Sequence, residues 1–176
     1  MATPQSLIYS VEAYNLSHSS ENKIHDDTVA RKLGFTGGLV PGVEVFAYAS
    51  HVPLEHWGRT FLERGRMTGR FAKPVYDGRA AIVTGDKNGS QIDLKVESEG
   101  VLCATGEATL PEHPPEPPPL SNFPPVIPPA DRPSANDTSL AEGRYLTSAE
   151  VLFDEQASTD YLRDVREAST IYRDEG

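Results

Sequence analysis

Cysteine is nearly absent: Cys103 stands alone among 176 residues. No disulfide can close within the chain, and the strand-like run around Cys103 makes it a buried small hydrophobe. Cations are scarce as well, with 16 Lys and Arg against 26 Asp and Glu, a formal net charge of −10. That balance argues against a nucleic-acid partner, which requires a clustered basic surface. No apolar run approaches the ~20 residues that span a bilayer. The opening M-A-T-P-Q-S-L-I-Y-S has no basic leader ahead of an apolar core. The expected location is therefore cytoplasmic, with no membrane partner. Hydrophobic residues, at 38%, suffice for one sizeable core and not for two.

The chemistry-bearing residues gather between Ser17 and Gly58. Four of the five histidines (His18, His25, His51, His56) lie there, with Gly34, Gly37 and Gly38 and the step Pro41-Gly42. Leu7–Asn15 mixes β-branched and aromatic residues and reads as a strand. Ser20 or Asn22 is the expected N-cap of a short helix over Asp26–Lys32, closed by Gly34. From Gly42, V-E-V-F-A-Y-A-S-H-V is apolar on more than one face, which predicts a buried helix. Pro53 predicts a kink or break, after which a shorter helix resumes and ends near Gly65.

Four strands are expected next: Met67–Ala72, Arg79–Asp86, Gln91–Glu97 and Val101–Leu110. Asn88-Gly89 and Glu99-Gly100 mark tight turns. Ile92, Leu94 and Val96 alternate with Asp93, Lys95 and Glu97, so one face of that strand is buried. Only the Gly42 helix is long and apolar enough to cover the face. Pro111–Pro133 holds 11 of the 15 prolines and reads as a semi-rigid extended linker. Arg144–Asp154 reads as another strand and Ser158–Arg173 as a helix. The division is a domain over 1–112, a Pro-rich linker over 113–138, and a strand plus helix over 139–176 that opens a possible second unit.

An ordered set of pieces now carries a resemblance: N-K-I-H-D-D, A-R-K-L-G-F, G-G-L-V-P-G, R-F-A-K-P-V-Y-D-G and E-G-V-L-C-A-T-G-E-A-T. Over roughly Leu7–Pro111 the chain resembles the MaoC-like acyl-CoA hydratase/dehydratase family. The resemblance implies an α+β hot-dog fold, an antiparallel β-sheet wrapped around a central helix. It also implies an acyl-CoA or other acyl-thioester substrate, lyase chemistry (reversible hydration of a 2-enoyl thioester), and no cofactor. Family members carry D-x-N-P-[IL]-H where this chain reads Ser20-Glu21-Asn22-Lys23-Ile24-His25. His25 and Asn22 match, whereas Ser20 replaces the aspartate and Lys23 the proline. The family's His-Gly at the helix start is Pro41-Gly42 here.

By this resemblance His25 activates water, Ser20 and Asn22 position it, and the Gly42 N–H holds the thioester oxygen. Serine is no base near neutral pH without an activating neighbour, and losing one positioned acid–base group costs ~10²–10⁴ in rate. Glu21, Asp26 and Asp27 are stand-ins for the lost carboxylate or, more simply, a solvated acidic loop. Glu44 sits where the helix dipole alone favours a carboxylate. His51 and His56 read as structural, and no Cys/His set has zinc spacing. Two rivals stand beside the hydratase. One is a thioesterase on the same fold in which Glu44 or another carboxylate activates water. The other is a non-catalytic hot-dog half. Sites of this family form between two hot-dog units, so a homodimer or a second unit is the expected partner. Lys23, Arg31, Lys32, Lys73, Arg79 and Lys87 are candidates for the CoA phosphates.

Overall fold

The computed structural model describes residues 6–17, 25–123, 126–127, 130, 133–144 and 154–172. β1, Ser6–Glu12, leads the chain. A short helix α1 follows over Asp27–Lys32. Its cap is Asp26, not Ser20 or Asn22: the Asp26 carboxylate accepts from the N–H groups of Thr28 and Val29, at 2.9 and 3.0 Å. Asp lies immediately before the first helical residue, where a side-chain oxygen reaches the N2 and N3 donors. Ser20 and Asn22 themselves fall outside the described residues.

The central helix α2 runs over Gly42–Trp57, straight through Pro53. The expected break does not occur. Proline removes one N–H from the ladder, but its ring is fully buried here, and that packing offsets the lost bond. The chain turns instead at Gly58, where φ is +61°, before α3, Arg59–Arg64. α2 is buried on more than one face, as expected, with Tyr48 and Leu54 enclosed as well as the side turned to the sheet. Val45, Ala49 and Val52 are buried, while Val43 at the start is 67% exposed.

Four strands complete the sheet: β2 (Arg66–Phe71), β3 (Ala80–Asn88), β4 (Gln91–Ser98) and β5 (Val101–Thr109). All pairings are antiparallel in the order β1-β3-β4-β5-β2. The strand that follows the helices thus travels to the far edge, and β1 holds the other. Asn88 pairs with Gln91, so the first hairpin turns on Gly89-Ser90 rather than Asn88-Gly89. Gly89 has φ +65°, which suits a two-residue loop with glycine at its first position. The second hairpin turns on Glu99-Gly100 as expected, with Ser98 opposite Val101.

The alternation in β4 is realised: Ile92, Leu94 and Val96 are each at most 2% exposed. Burying a side chain of that size stabilises by about 1.5–3 kcal/mol. α2 lies across this face and touches all five strands. Gly85 lets it come close, because a Cβ there would stand 2.6 Å from Val52 Cγ1.

Beyond β5, the described residues from Leu110 to Pro119 have no regular structure, and Leu120–Asn122 forms one 3-10 turn. The strand expected over Arg144–Asp154 lies almost wholly outside the described residues. The helix expected over Ser158–Arg173 is shorter and earlier: α4 spans Glu155–Asp164, capped by the Asp154 carboxylate on Ala157 N at 2.7 Å. It stops because Arg166 adopts φ +61° and the chain turns inward. Val165 is buried, and Glu167 meets His51 of α2 at 2.9 Å. Among the described residues no helix is long and apolar enough to cross a membrane.

Candidate functional site

A fully buried asparagine organises the approach to α2. Asn15, just past β1, receives its Oδ1 bond from Ser17 N at 2.9 Å, a local Asx-type turn. Its Nδ2 donates to the His25 carbonyl at 2.7 Å, and its backbone N–H donates to Asp77 Oδ1 at 2.8 Å. Gly38 closes the knot from the other side. Its N–H donates to Asp27 Oδ1 at 2.6 Å, and a Cβ on Gly38 would sit 2.7 Å from the His25 carbonyl oxygen. Only glycine allows that approach. The His25 carbonyl is therefore bonded by Asn15 and packed closely against Gly38.

The imidazole is held as well. His25 Nδ1 lies 2.7 Å from the Leu39 carbonyl. A carbonyl only accepts, so Nδ1 carries the proton, and Nε2 keeps the basic lone pair in the neutral ring. Leu39 is itself bridged to Tyr76, and Val40 N donates to Val75 O at 2.9 Å. The ring is thereby anchored three residues ahead of Gly42.

Pro41 occupies the N-cap of α2 and has no side chain that can cap it. Glu44 N and Val45 N both return to the Pro41 carbonyl, at 3.1 and 3.3 Å. The N–H groups of Gly42 and Val43 find no acceptor among the described residues, as expected of a first turn without a cap. Crowding does not explain the glycine. A Cβ on Gly42 would meet nothing closer than the Phe71 ring at 3.6 Å, ordinary contact.

Glu44 completes the group. The residue is 3% exposed, and its Oε2 has no hydrogen-bond partner among the described residues. Burial pushes its carboxyl above the usual glutamate range, while its own N–H and the nearby His25 pull the other way. A buried carboxyl with an open oxygen costs stability, and the dipole argument that made Glu44 unremarkable in the sequence does not cover that cost. Glu44 is the residue the sequence undervalued. Asn15 and Asp77 it missed, although the Asn15-x-Ser17 pattern was available as an Asx signal.

Of the candidates, His25 is bonded to Leu39, three residues ahead of Gly42, whereas Ser20, Glu21, Asn22 and Lys23 lie outside the described residues. Asp26 caps α1, and Asp27, with its side chain 61% exposed, ties Gly38. His51 is structural, stacked on Tyr9 with ring centroids 3.7 Å apart and bonded to Glu167. His56 packs edge-on to Trp57. Cys103 is buried as expected and donates to the Pro74 carbonyl at 3.3 Å. Among the cations, Arg31 pairs with Asp27 and Arg79 with Glu99.

A five-stranded antiparallel sheet wrapped on one central helix is the hot-dog architecture. Solved structures with that likeness include a MaoC-like dehydratase from Phytophthora capsici, with a TM-score of 0.53 and 15% identity, covering 64% of this chain and 43% of that one. The full-length peroxisomal multifunctional enzyme type 2 from Drosophila melanogaster gives 0.53 and 17%, covering 62% of this chain and 23% of that one. An (R)-hydratase from A. caviae involved in PHA biosynthesis gives 0.49 and 16%, covering 63% and 98%. Compared with the first two, this chain spans less than half of their length. At these identities the likeness to the first two shows the fold alone. No protein-family model matches the chain, and no curated protein matches it.

Proposed function

We propose that the chain binds an acyl thioester, such as an acyl-CoA, at the junction of the His25 loop with α2, and that it reversibly hydrates a 2-enoyl thioester there. The observation that carries this reading is Glu44: a buried carboxyl with an open oxygen, in the field of His25, in the first turn of the helix whose leading N–H groups are free. Hydration needs a base for water at Cβ and an acid for Cα. Nε2 of His25 takes the proton from water as its oxygen adds to Cβ. Glu44, whose carboxyl burial pushes above the usual glutamate range, delivers a proton to Cα, and the Gly42 N–H stabilises the oxyanion between those events. The two groups then exchange roles in the reverse direction. In this scheme Glu44 supplies the carboxyl that the family's loop carries and that Ser20 replaces here. Ser20 and Asn22 position the water.

The test is loss of the ultraviolet absorbance of a 2-enoyl thioester with pure protein. His25→Gln and Glu44→Gln should each lower the rate by ~10²–10⁴, with the protein still folded. Undiminished turnover in both variants would sink the assignment. The same carboxylate favours a second reading, thioester hydrolysis with Glu44 as base, which a thiol reagent would reveal as free CoA. Domain 1–112, linker 113–138 and the segment 139–176 are the proposed division. A homodimer or a second hot-dog unit is the proposed partner. If turnover appears only when a second unit is added, the chain is one half of a shared site.

A further inference from the structure

The side of α2 away from the sheet carries a cavity of about 310 Å3 roofed by the C-terminal segment. Ala47, Tyr48 and Ser50 of α2 form its floor with Tyr9 of β1, and Ser158, Tyr161, Val165 and Tyr172 close it from the other side. We propose that this cavity receives the tail of the acyl chain, so that residues 154–172 form one wall of the substrate site and set the chain length accepted. The assignment rests on the thioester reading above and adds to it a specificity element outside the sheet-and-helix unit.

Continuity along α2 supports it. Tyr48 follows Glu44 by four residues, so the two are neighbours on one helix face. Ser50 lies eight residues past Gly42, roughly 12 Å along the axis at the usual rise. A chain whose thioester oxygen sits at the Gly42 N–H would have to extend about two turns along α2 to reach the cavity. Its volume is at the lower end of the ~300–1,000 Å3 of small-molecule pockets, which favours a tail of modest length.

The chemistry of the walls selects the end group. The walls are mainly carbon and phenol. The four phenols stay neutral donors: burial first, and then Glu167 or Glu44, raises Tyr9 to about 12 and pushes Tyr48, Tyr161 and Tyr172 upward. Glu167 is turned to His51 and to Ser169 N, and Arg166 is held away on Glu12. An acid at the far end of the chain would meet the Glu167 carboxylate with no free cation facing it among these groups. A methyl end meets no such penalty.

The roof is held in place for this role. The Glu167–His51 contact and buried Val165 fix the segment on α2 without filling the space between them. Ser158 and Ala47 are half-buried, so larger side chains there would enter the cavity without rebuilding the sheet-side core.

Calorimetric titration of the full chain with butanoyl-CoA, octanoyl-CoA, octanol and octanoate tests the proposal. Octanoyl-CoA should bind at least tenfold tighter than butanoyl-CoA, and octanol should bind where octanoate does not. Ser158→Trp, with Ala47→Leu as the second variant, should erase both preferences and leave butanoyl-CoA binding as it was. Equal affinity for the two thioesters, or a preference that survives both substitutions, overturns the cavity assignment even if enoyl turnover is found. Octanol binding lost in both variants, without any turnover, upholds the cavity and sinks the catalytic reading instead.

Discussion

The two faces of α2 do opposite work. Toward the sheet it presents Val45, Ala49 and Val52, all buried, against Ile92, Leu94 and Val96. Toward the C-terminal segment it presents Glu44, Tyr48 and His51, a carboxyl, a phenol and an imidazole. The sheet face gains free energy from every side chain it buries. The other face retains an open carboxyl oxygen and a cavity, both of which cost stability. A helix that carries such costs on one side needs surplus packing on the other, and the five-stranded wrap supplies it.

Removing packing on the sheet side should have the largest effect. Leu94→Ala leaves a cavity beneath α2 and should cost about 2–5 kcal/mol in urea unfolding. A loss below about 1 kcal/mol would mean that the sheet face is not what holds the helix. An intermediate effect is expected from Glu167→Ala, which strips both the His51 contact and the acceptor for Ser169 N. It should cost about 1–3 kcal/mol and act locally. Trypsin should then cut faster at Arg163 and Arg166 while the sheet stays protected. Uniform loss of protection would blur the distinction between the faces.

The smallest effect, and the one of opposite sign, belongs to Glu44. Its carboxyl keeps its proton to higher pH folded than unfolded, so between those two values the folded chain binds more protons. Stability is greatest below the usual glutamate range and falls as pH rises through the window. Glu44→Gln removes that fall. The variant should match the parent near about pH 4 and exceed it by ~1 kcal/mol, a few degrees in Tm, above the window. Parallel Tm curves across pH would contradict a buried, strained carboxyl.

Local pattern carried much of this. The alternation in Q-I-D-L-K-V-E became β4, Glu99-Gly100 became a turn, and the apolar run after Gly42 became the wrapped helix. Misreadings came where several segments compete for one group. Asp26 displaced Ser20 and Asn22 as a cap because of its adjacency to the first helical turn. Pro53 stayed helical because its ring is packed, and no single-residue preference contains that packing. The end of α4 depended on a distant partner, His51, which pulls Glu167 inward.

What the amino-acid order determined alone was the set of elements and which face of each is apolar, because those follow from side-chain spacing within a few residues. Which strand lies beside which, the knot of Asn15, Asp77 and Gly38 around the His25 backbone, and the burial of Glu44 were decided only when the chain closed on itself. Each depends on contacts between residues far apart in the chain, and on charge and desolvation terms that exist only once water has been excluded from between them.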